Sequence, residues 1–354
     1  MKRMYDSIVI GGGQAGLASG YYLKKKGLHF LILEANDRAT GSWSNHYDSL
    51  KLFSPAPYSS LPGLRISDDN KRYPLKDEVI QYLKNYARQF QLPILNKQRV
   101  TRVENTKRGY KVHTFTGEVF ETQSLINATG SFQNPYTPEI KEMETFQGLV
   151  IHSSQYQKPE PFTNQRVLVV GRGNSAVQIA VELSDKSRTS LAVRKPIHFL
   201  KQSFLGKDLH FWIKVFGIDT FPFLRFGLRV PIPDSVIDLG QYEKQLAEGK
   251  PNQLPMFTSF FREGVIWQDG TKEPVDTVIF ATGFQTDFSY LYSTDALDNK
   301  GKPKQKAGIS TSVPGMYYVG LEGQRSFSSA TIRGVGPDAK YVVNILAKYL
   351  RKVN

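Results

Sequence analysis

Cysteine is absent from all 354 residues. That excludes disulfides, thiolate-held metals, iron–sulfur clusters and any Cys-x-x-Cys redox pair from the chain's own chemistry. Any redox work therefore needs a borrowed cofactor. No apolar run is long enough to span a membrane. Met1 to Tyr5 runs straight into a strand-like segment, without the apolar region and cleavage site of a secretory leader, so a soluble cytoplasmic protein is expected. The six histidines show no metal-ligand spacing, and no Ser-His-Asp or paired-carboxylate constellation is evident. The net charge of +14 comes without a nucleic-acid motif and its lysines and arginines are scattered, so anionic cofactors or an anionic surface explain it better than nucleic acid.

What is present begins with composition. With 40% hydrophobic and 22% charged residues the chain is ordinary globular material, and its length calls for two domains. Ser7-Ile8-Val9-Ile10 is a β-branched run suited to a buried parallel strand, and it ends on Gly11-x-Gly13-x-x-Gly16. A helical stretch from Leu17 to Lys26 stops at Gly27. Strand, glycine turn and helix in this order bring backbone close to a pyrophosphate and aim a helix N-terminus at it. The next strand, His29 to Leu33, ends on Glu34, where an acid accepts a hydrogen bond from an unphosphorylated ribose hydroxyl. The pattern reads as an FAD site.

The pattern recurs. Arg166-Val167-Leu168-Val169-Val170 leads into Gly171-x-Gly173-x-x-Ala176 and a helix to about Leu183, with Asn174 and Ser175 inside the loop counted among its binding residues. Glu34 lies 18 residues past Gly16, and Arg194 lies 18 past Ala176. The second copy thus has a base where the first has an acid, and a guanidinium suits a 2′-phosphate through paired charge-assisted bonds. The second site reads as NADPH, with NADH admitted. Arg194 at a solvated strand end is the plainer alternative, and Arg172 is read evenly as a phosphate contact or a solvated side chain. Two further strands, Leu125-Ile126-Asn127-Ala128-Thr129-Gly130 and Val278-Ile279-Phe280-Ala281-Thr282-Gly283, both close on Ala-Thr-Gly behind turns at Gly117 and Asp269-Gly270. One nucleotide-binding design is present twice, with Gly130 and Gly283 as equivalent positions.

The double glycine loop, the paired Ala-Thr-Gly strands and Phe146-x-Gly148-x-x-x-His152-x-x-x-Tyr156 together resemble the flavin-containing monooxygenases and their YUCCA-type and Baeyer–Villiger relatives. Tyr156 stands where the Baeyer–Villiger enzymes carry Trp-Pro, which favours the first group. The resemblance implies an α/β fold of two Rossmann-like dinucleotide-binding domains, the NADPH domain inserted in the FAD domain. It also implies that NADPH reduces the flavin and that a flavin C4a-hydroperoxide passes one oxygen atom to a soft sulfur or nitrogen nucleophile of a small molecule. By the same resemblance, the fingerprint places His152 at the connection between domains, Gly41-Ser42-Trp43 forms a turn over the flavin, and Tyr47 to Pro55 passes the flavin ring. A catalytic asparagine common in the family is replaced near there by Ser54 or a neighbour. Gly320 follows the last strand, and Ser328 to Thr331 with Gly334-Val335-Gly336 leads a final helix toward the flavin; the family's Gly-Asp is absent from Gly320-Leu321-Glu322-Gly323.

The expected boundaries are 1–158 and 277–354 for the FAD domain and 159–276 for the NADPH domain. Segment 199–261 departs from nucleotide-domain pattern. Phe204, Leu205, Leu209, Phe211, Trp212, Val215 and Phe216 alternate with Lys201, Lys207 and Lys214, and Phe221, Phe223, Leu224, Phe226 and Leu228 surround Arg225 and Arg229. It is read as a lid over a site or as a face for a membrane surface. A homodimer and peripheral membrane contact are admitted as partners beside substrate and dioxygen. Two other functions stand beside oxygen transfer: an NADPH-dependent flavin reductase or oxidase releasing hydrogen peroxide, and a membrane-associated regulatory flavoprotein.

Overall fold

Ser7 to Ile10 is buried on both faces, as an apolar run must be in the middle of a parallel sheet, and forms the end of β1 (Tyr5–Ile10). The computed structural model describes residues 4–69, 71–221, 223, 228, 230 and 235–353. Helix α1 (Gln14–Lys25) leaves the glycine turn and packs its small residues, Ala15, Gly16, Ala18 and Ser19, inward. The first sheet continues through β2 (Phe30–Leu33), helix α2 (Lys76–Gln89), β3 (Ile94–Leu95), β4 (Val100–Thr106), β5 (Gly109–Thr114) and β6 (Val119–Asn127). β1 lies between β2 and β6, parallel to both.

The chain then builds a second, all-parallel sheet before returning. Its strands are β7 (Leu149–His152), β8 (Arg166–Val170), β9 (Arg188–Val193), β10 (Asn252–Pro255) and β11 (Thr277–Phe280), in the spatial order β10-β9-β8-β11-β7. Helix α3 (Asn174–Ser184) follows the second glycine turn. The short helix α4 (Leu209–Val215) belongs to the intervening segment. β12 (Gln305–Lys306), β13 (Ile309–Ser310) and β14 (Met316–Tyr318) complete the first sheet at nine strands, β14 lying parallel to β6, and helix α5 (Val335–Val353) closes the chain.

The expected insertion of one Rossmann-like unit into another is present, but its boundaries at 158/159 and 276/277 cut the second sheet. β7 precedes the first boundary and β11 follows the second. The expected first cut falls just after the fingerprint, ahead of the strand that precedes the glycine loop; hydrogen bonding runs the second sheet across both cuts. Both helices also begin earlier than their apolar periodicity suggested, at Gln14 and Asn174, because Gly13 and Gly173 are already extended N-caps. Gln14 and Asn174 thereby enter the first helical turns.

The fingerprint ties the two connectors together. His152 accepts the Ser154 backbone N–H at Nδ1 (3.1 Å), so its proton sits on Nε2 and is donated to the Gly283 carbonyl at 2.9 Å. Burial lowers its pKa, which keeps it neutral, although the Gly283 bond opposes the shift. Tyr156 is fully buried and donates to Glu182. Phe146 packs on Phe260, and Gly148 is glycine because a Cβ there would lie 2.2 Å from the Phe146 ring and 2.6 Å from the Asp276 carbonyl oxygen. The motif is a structural clasp.

A buried acid sits in the first turn of α5. Asp338 is 1% exposed; burial pushes its carboxyl up to about 6, against the pull of Ser329 and Arg325. Its unfolded value is the ordinary 3.8, so between these pH values the folded chain keeps a proton that the unfolded chain loses. Stability from this group is therefore full at the acid end and falls as pH rises through that window, by about 3 kcal/mol. Asp338→Asn should flatten this slope in chemical denaturation followed from pH 4.5 to 7.5, and an unchanged slope would dismiss the assignment.

Candidate active site

One cavity of about 1030 Å³, counted to its open mouth, lies between the two units. Its walls are the carboxyl ends of β1, β6 and β14 and the first turns of α1 and α3. Two helix N-termini thus open on one space, each with backbone N–H groups that have no partner within their own helix.

The first glycine turn is drawn tight by contacts a side chain would forbid. A Cβ on Gly11 would lie 2.6 Å from the Ala128 carbonyl oxygen, and one on Gly16 would lie 1.9 Å from the Gly11 carbonyl oxygen. Behind the turn, Glu34 is 1% exposed and accepts from Gly12 N–H at 2.6 Å and Asn36 N–H at 2.8 Å. The acid therefore holds the loop as well as lying at the predicted strand end. In front, Trp43 donates to Gln14, and Gln14 in turn donates to the Ala330 carbonyl at 2.8 Å. That bridge joins the first helix to the C-terminal loop.

Of the residues predicted from sequence, Gly11, Gly13, Trp43, Gly130, Asn174, Ser175 and Gly320 line the cavity. Gly16 and Glu34 lie behind the loop. Thr331 is next to the lining residue Ala330, with its hydroxyl donated to Ser328. Gly171, Gly173, Arg194 and Gly283 are not part of this lining: they cluster by topology at the carboxyl ends of β8, β9 and β11. Gly173 and Gly283 face open space, Arg194 is exposed, and Arg172 donates to the Pro196 carbonyl.

Ser54 does not reach the cavity. It is 4% exposed and hydrogen-bonded to the Ser59 hydroxyl at 2.8 Å, while Leu52 and Phe53 take the wall.

Sequence reasoning missed His46, Gln14, Gln178 and Phe132, which also line the space. No local pattern marks them, since their placement depends on contacts between distant segments: Lys76 at the start of α2 is 6% exposed and donates to the His46 carbonyl and Asp48. Burial and then the Lys76 charge push the His46 imidazole down to about 4, so it is neutral. Tyr47 donates to Gln178 at 2.7 Å, and burial drives its phenol upward. The chamber therefore offers apolar walls, neutral polar groups, helix dipoles and one lysine, Lys51.

The middle segment leans on this wall. Asp208 caps α4 and accepts from the His210 backbone and ring, from Gln202 and from Tyr73. Burial raises its carboxyl, but the bonds from His210, Tyr73 and Gln202 win and hold it below the ordinary value. Gln202 also donates to the Phe53 carbonyl, and His210 stacks between Phe53 and Tyr58. Further along, Arg333 pairs with Asp219 at 3.0 Å and Ser328 donates to the Asp219 carbonyl. The expected segment of 199–261 divides: Asn252–Pro255 joins the second sheet, and Ser259–Phe261 forms a separate antiparallel sheet with Gly264–Ile266 and Lys272–Pro274. Leu224, Arg225, Phe226 and Arg229 lie outside the described residues.

Residues 8–214 match the family model described as pyridine nucleotide-disulphide oxidoreductase. The chain is 38% identical to an uncharacterized CzcO-like oxidoreductase of Geobacillus kaustophilus, covering 97% of this chain and 99% of the relative. It is 30% identical to a probable indole-3-pyruvate monooxygenase of Arabidopsis thaliana, covering 84% of this chain and 79% of the relative. Among solved structures, the flavin-containing monooxygenase from Stenotrophomonas maltophilia aligns with a TM-score of 0.85 at 31% identity, over 98% of this chain and 99% of that one. The absence of cysteine leaves the disulphide half of the family name without a counterpart in these residues. The chain belongs to the pyridine nucleotide-disulphide oxidoreductase family, as a flavoprotein of the flavin-containing monooxygenase type with two Rossmann-like dinucleotide units.

Proposed function

We propose that this protein is an FAD- and NADPH-dependent monooxygenase that places one atom of dioxygen on a soft sulfur or nitrogen centre of a small molecule. The observation that carries the reading is the cavity onto which the helices of both nucleotide units open, walled mostly by apolar and neutral polar residues, with Lys51 the charged residue in its lining. When bound, the two cofactors supply hydride transfer and oxygen activation. Overall, NADPH with a proton supplies two electrons and the substrate's lone pair the other two, so that one oxygen atom of dioxygen bonds to the substrate and the other leaves as water.

The chain's own residues bind, orient and exclude. The Gly11 turn and α1 would hold the FAD pyrophosphate, with Glu34 offering its remaining lone pairs to the ribose. Gly171, Gly173, Asn174 and Ser175 would hold the nicotinamide pyrophosphate at α3. Trp43, Leu52, Phe53 and Phe132 would wall off water, and the Asp208 and Asp219 bonds would keep the middle segment closed over that wall. His46, neutral through the working pH range, can accept a hydrogen bond without bringing charge.

A second reading, an NADPH oxidase that releases hydrogen peroxide, is favoured by one feature: Leu52 and Phe53 line the wall where the resemblance places an asparagine amide. Product and peroxide yields per NADPH across a panel of sulfides and amines separate the two. Oxygen transfer expects NADPH use that rises with substrate and product matching it. Peroxide equal to NADPH with no oxygenated product would leave only the oxidase.

Coenzyme choice is assigned to Arg194, which is exposed and makes no ion pair among the described residues. Losing a charge-assisted bond to a 2′-phosphate costs about 1.5–3 kcal/mol. Arg194→Ala should therefore raise KM for NADPH by about 10- to 100-fold while leaving that for NADH nearly unchanged. Equal effects on both coenzymes would dismiss the assignment.

A further inference from the structure

The middle segment has an outer side as well as the inner one that touches Phe53. A hairpin of Ser203–Phe204 and Lys207–Asp208 presents Phe204 at 64% and Leu205 at 75% exposure, and the adjoining α4 end presents Val215 at 58% and Phe216 at 70%. Exposures of this size belong to side chains that protrude rather than line a groove. Leu205 also occupies a left-handed turn conformation (φ 49°), where glycine or asparagine would be unstrained. A large apolar side chain is thus held outward at a strained tip. The face is firm: Trp212 of α4 donates to the Phe204 carbonyl at 2.9 Å.

Its charge is one-sided. Lys201, Lys207 and Lys214 are the exposed cations of this stretch, Lys207 lying 5.7 Å over the Phe211 ring and Lys214 5.5 Å over Tyr58, with Lys201 in strand register with Asp238. The two acids of the same stretch are withdrawn, Asp208 into its four hydrogen bonds and Asp219 into its pair with Arg333. A second copy of the chain meeting this face about a twofold axis would set like lysines against each other, on molecules already at +14. Protruding aromatic and aliphatic tips with exposed lysines in the same stretch suit a surface that is soft, apolar beneath and anionic above. No helix of the described residues is long and apolar enough to cross a membrane, so the contact is peripheral.

We propose that this outer face docks on the surface of an anionic lipid bilayer, bringing the Phe53 side of the cavity close to the membrane. The proposal is independent of the reaction assigned above, and binding is measured without turnover. The purified full chain is sedimented with phosphatidylcholine vesicles containing about one third phosphatidylglycerol, and with phosphatidylcholine alone. Binding to the anionic vesicles is expected at low salt, with about tenfold loss on raising salt to roughly 0.5 M.

The double variant Leu205→Glu, Phe216→Glu should lose about tenfold in vesicle partitioning while keeping its thermal midpoint. A charge control, Lys244→Glu with Lys300→Glu, changes exposed lysines elsewhere and should leave at least part of the tip-dependent binding intact. Equal binding of the tip variant and the parent would overturn the proposal by reducing it to overall charge. So would a parent that ignores vesicles but forms a concentration-dependent dimer abolished by the tip variant, because the face would then join two copies.

Discussion

Backbone meets backbone at two equivalent places where no side chain fits. Gly11 lies against the carbonyl of Ala128, and Gly171 lies against that of Ala281, with room for a Cβ at neither. In both copies the alanine N–H bonds back to the last residue of the central strand, Ile10 or Val170, at 2.8 Å. The glycine turn and the Ala-Thr-Gly strand are therefore two halves of one contact, which explains why they recur together in the chain. Everything that faces the cavity is placed relative to that contact: the helix starts at Gln14 and Asn174, and the opening at Gly130.

From there the site is assembled by short polar bridges between segments far apart in sequence. Gln14 links Trp43 to Ala330, Tyr47 of the first unit donates to Gln178 of the second, and Glu34 braces the loop from behind. Each bridge satisfies groups that would otherwise be buried unpaired, so the arrangement is specific as well as stable. The titratable groups they hold there are neutral: His46 is deprotonated by burial and a neighbouring lysine, while Tyr47 keeps its proton through burial; Lys51 is the charged residue of the lining.

The parts legible in the sequence were those with a local signature. Strand, glycine turn and helix lie within a few residues of each other, and the Ala-Thr-Gly strands repeat. Gly11, Gly13, Trp43, Gly130, Asn174, Ser175 and Gly320 consequently emerge on one cavity. The illegible parts depend on distant pairing. Nothing near Gln14 announces Ala330, 316 residues on, and nothing near Leu149 announces that it will share a sheet with Thr277. Ser54 illustrates a different case: the segment is recognisable, but the serine turns into hydrogen bonds with Ser59 while Phe53 takes the wall. The middle segment was legible as an aromatic-basic departure, whereas its anchorage through Asp208 to Tyr73 depends on a contact across 135 positions.

The second unit begins with β7 and ends with β11, and these two strands are immediate parallel neighbours, with Phe280 beside His152. The chain therefore leaves and rejoins the first unit at a single point on its boundary, fastened there by the imidazole of His152. Such a layout makes the second unit a cassette. Its coenzyme preference can be rewritten, or the whole unit exchanged for another with the same pair of junction strands, without re-registering any strand of the nine-stranded sheet.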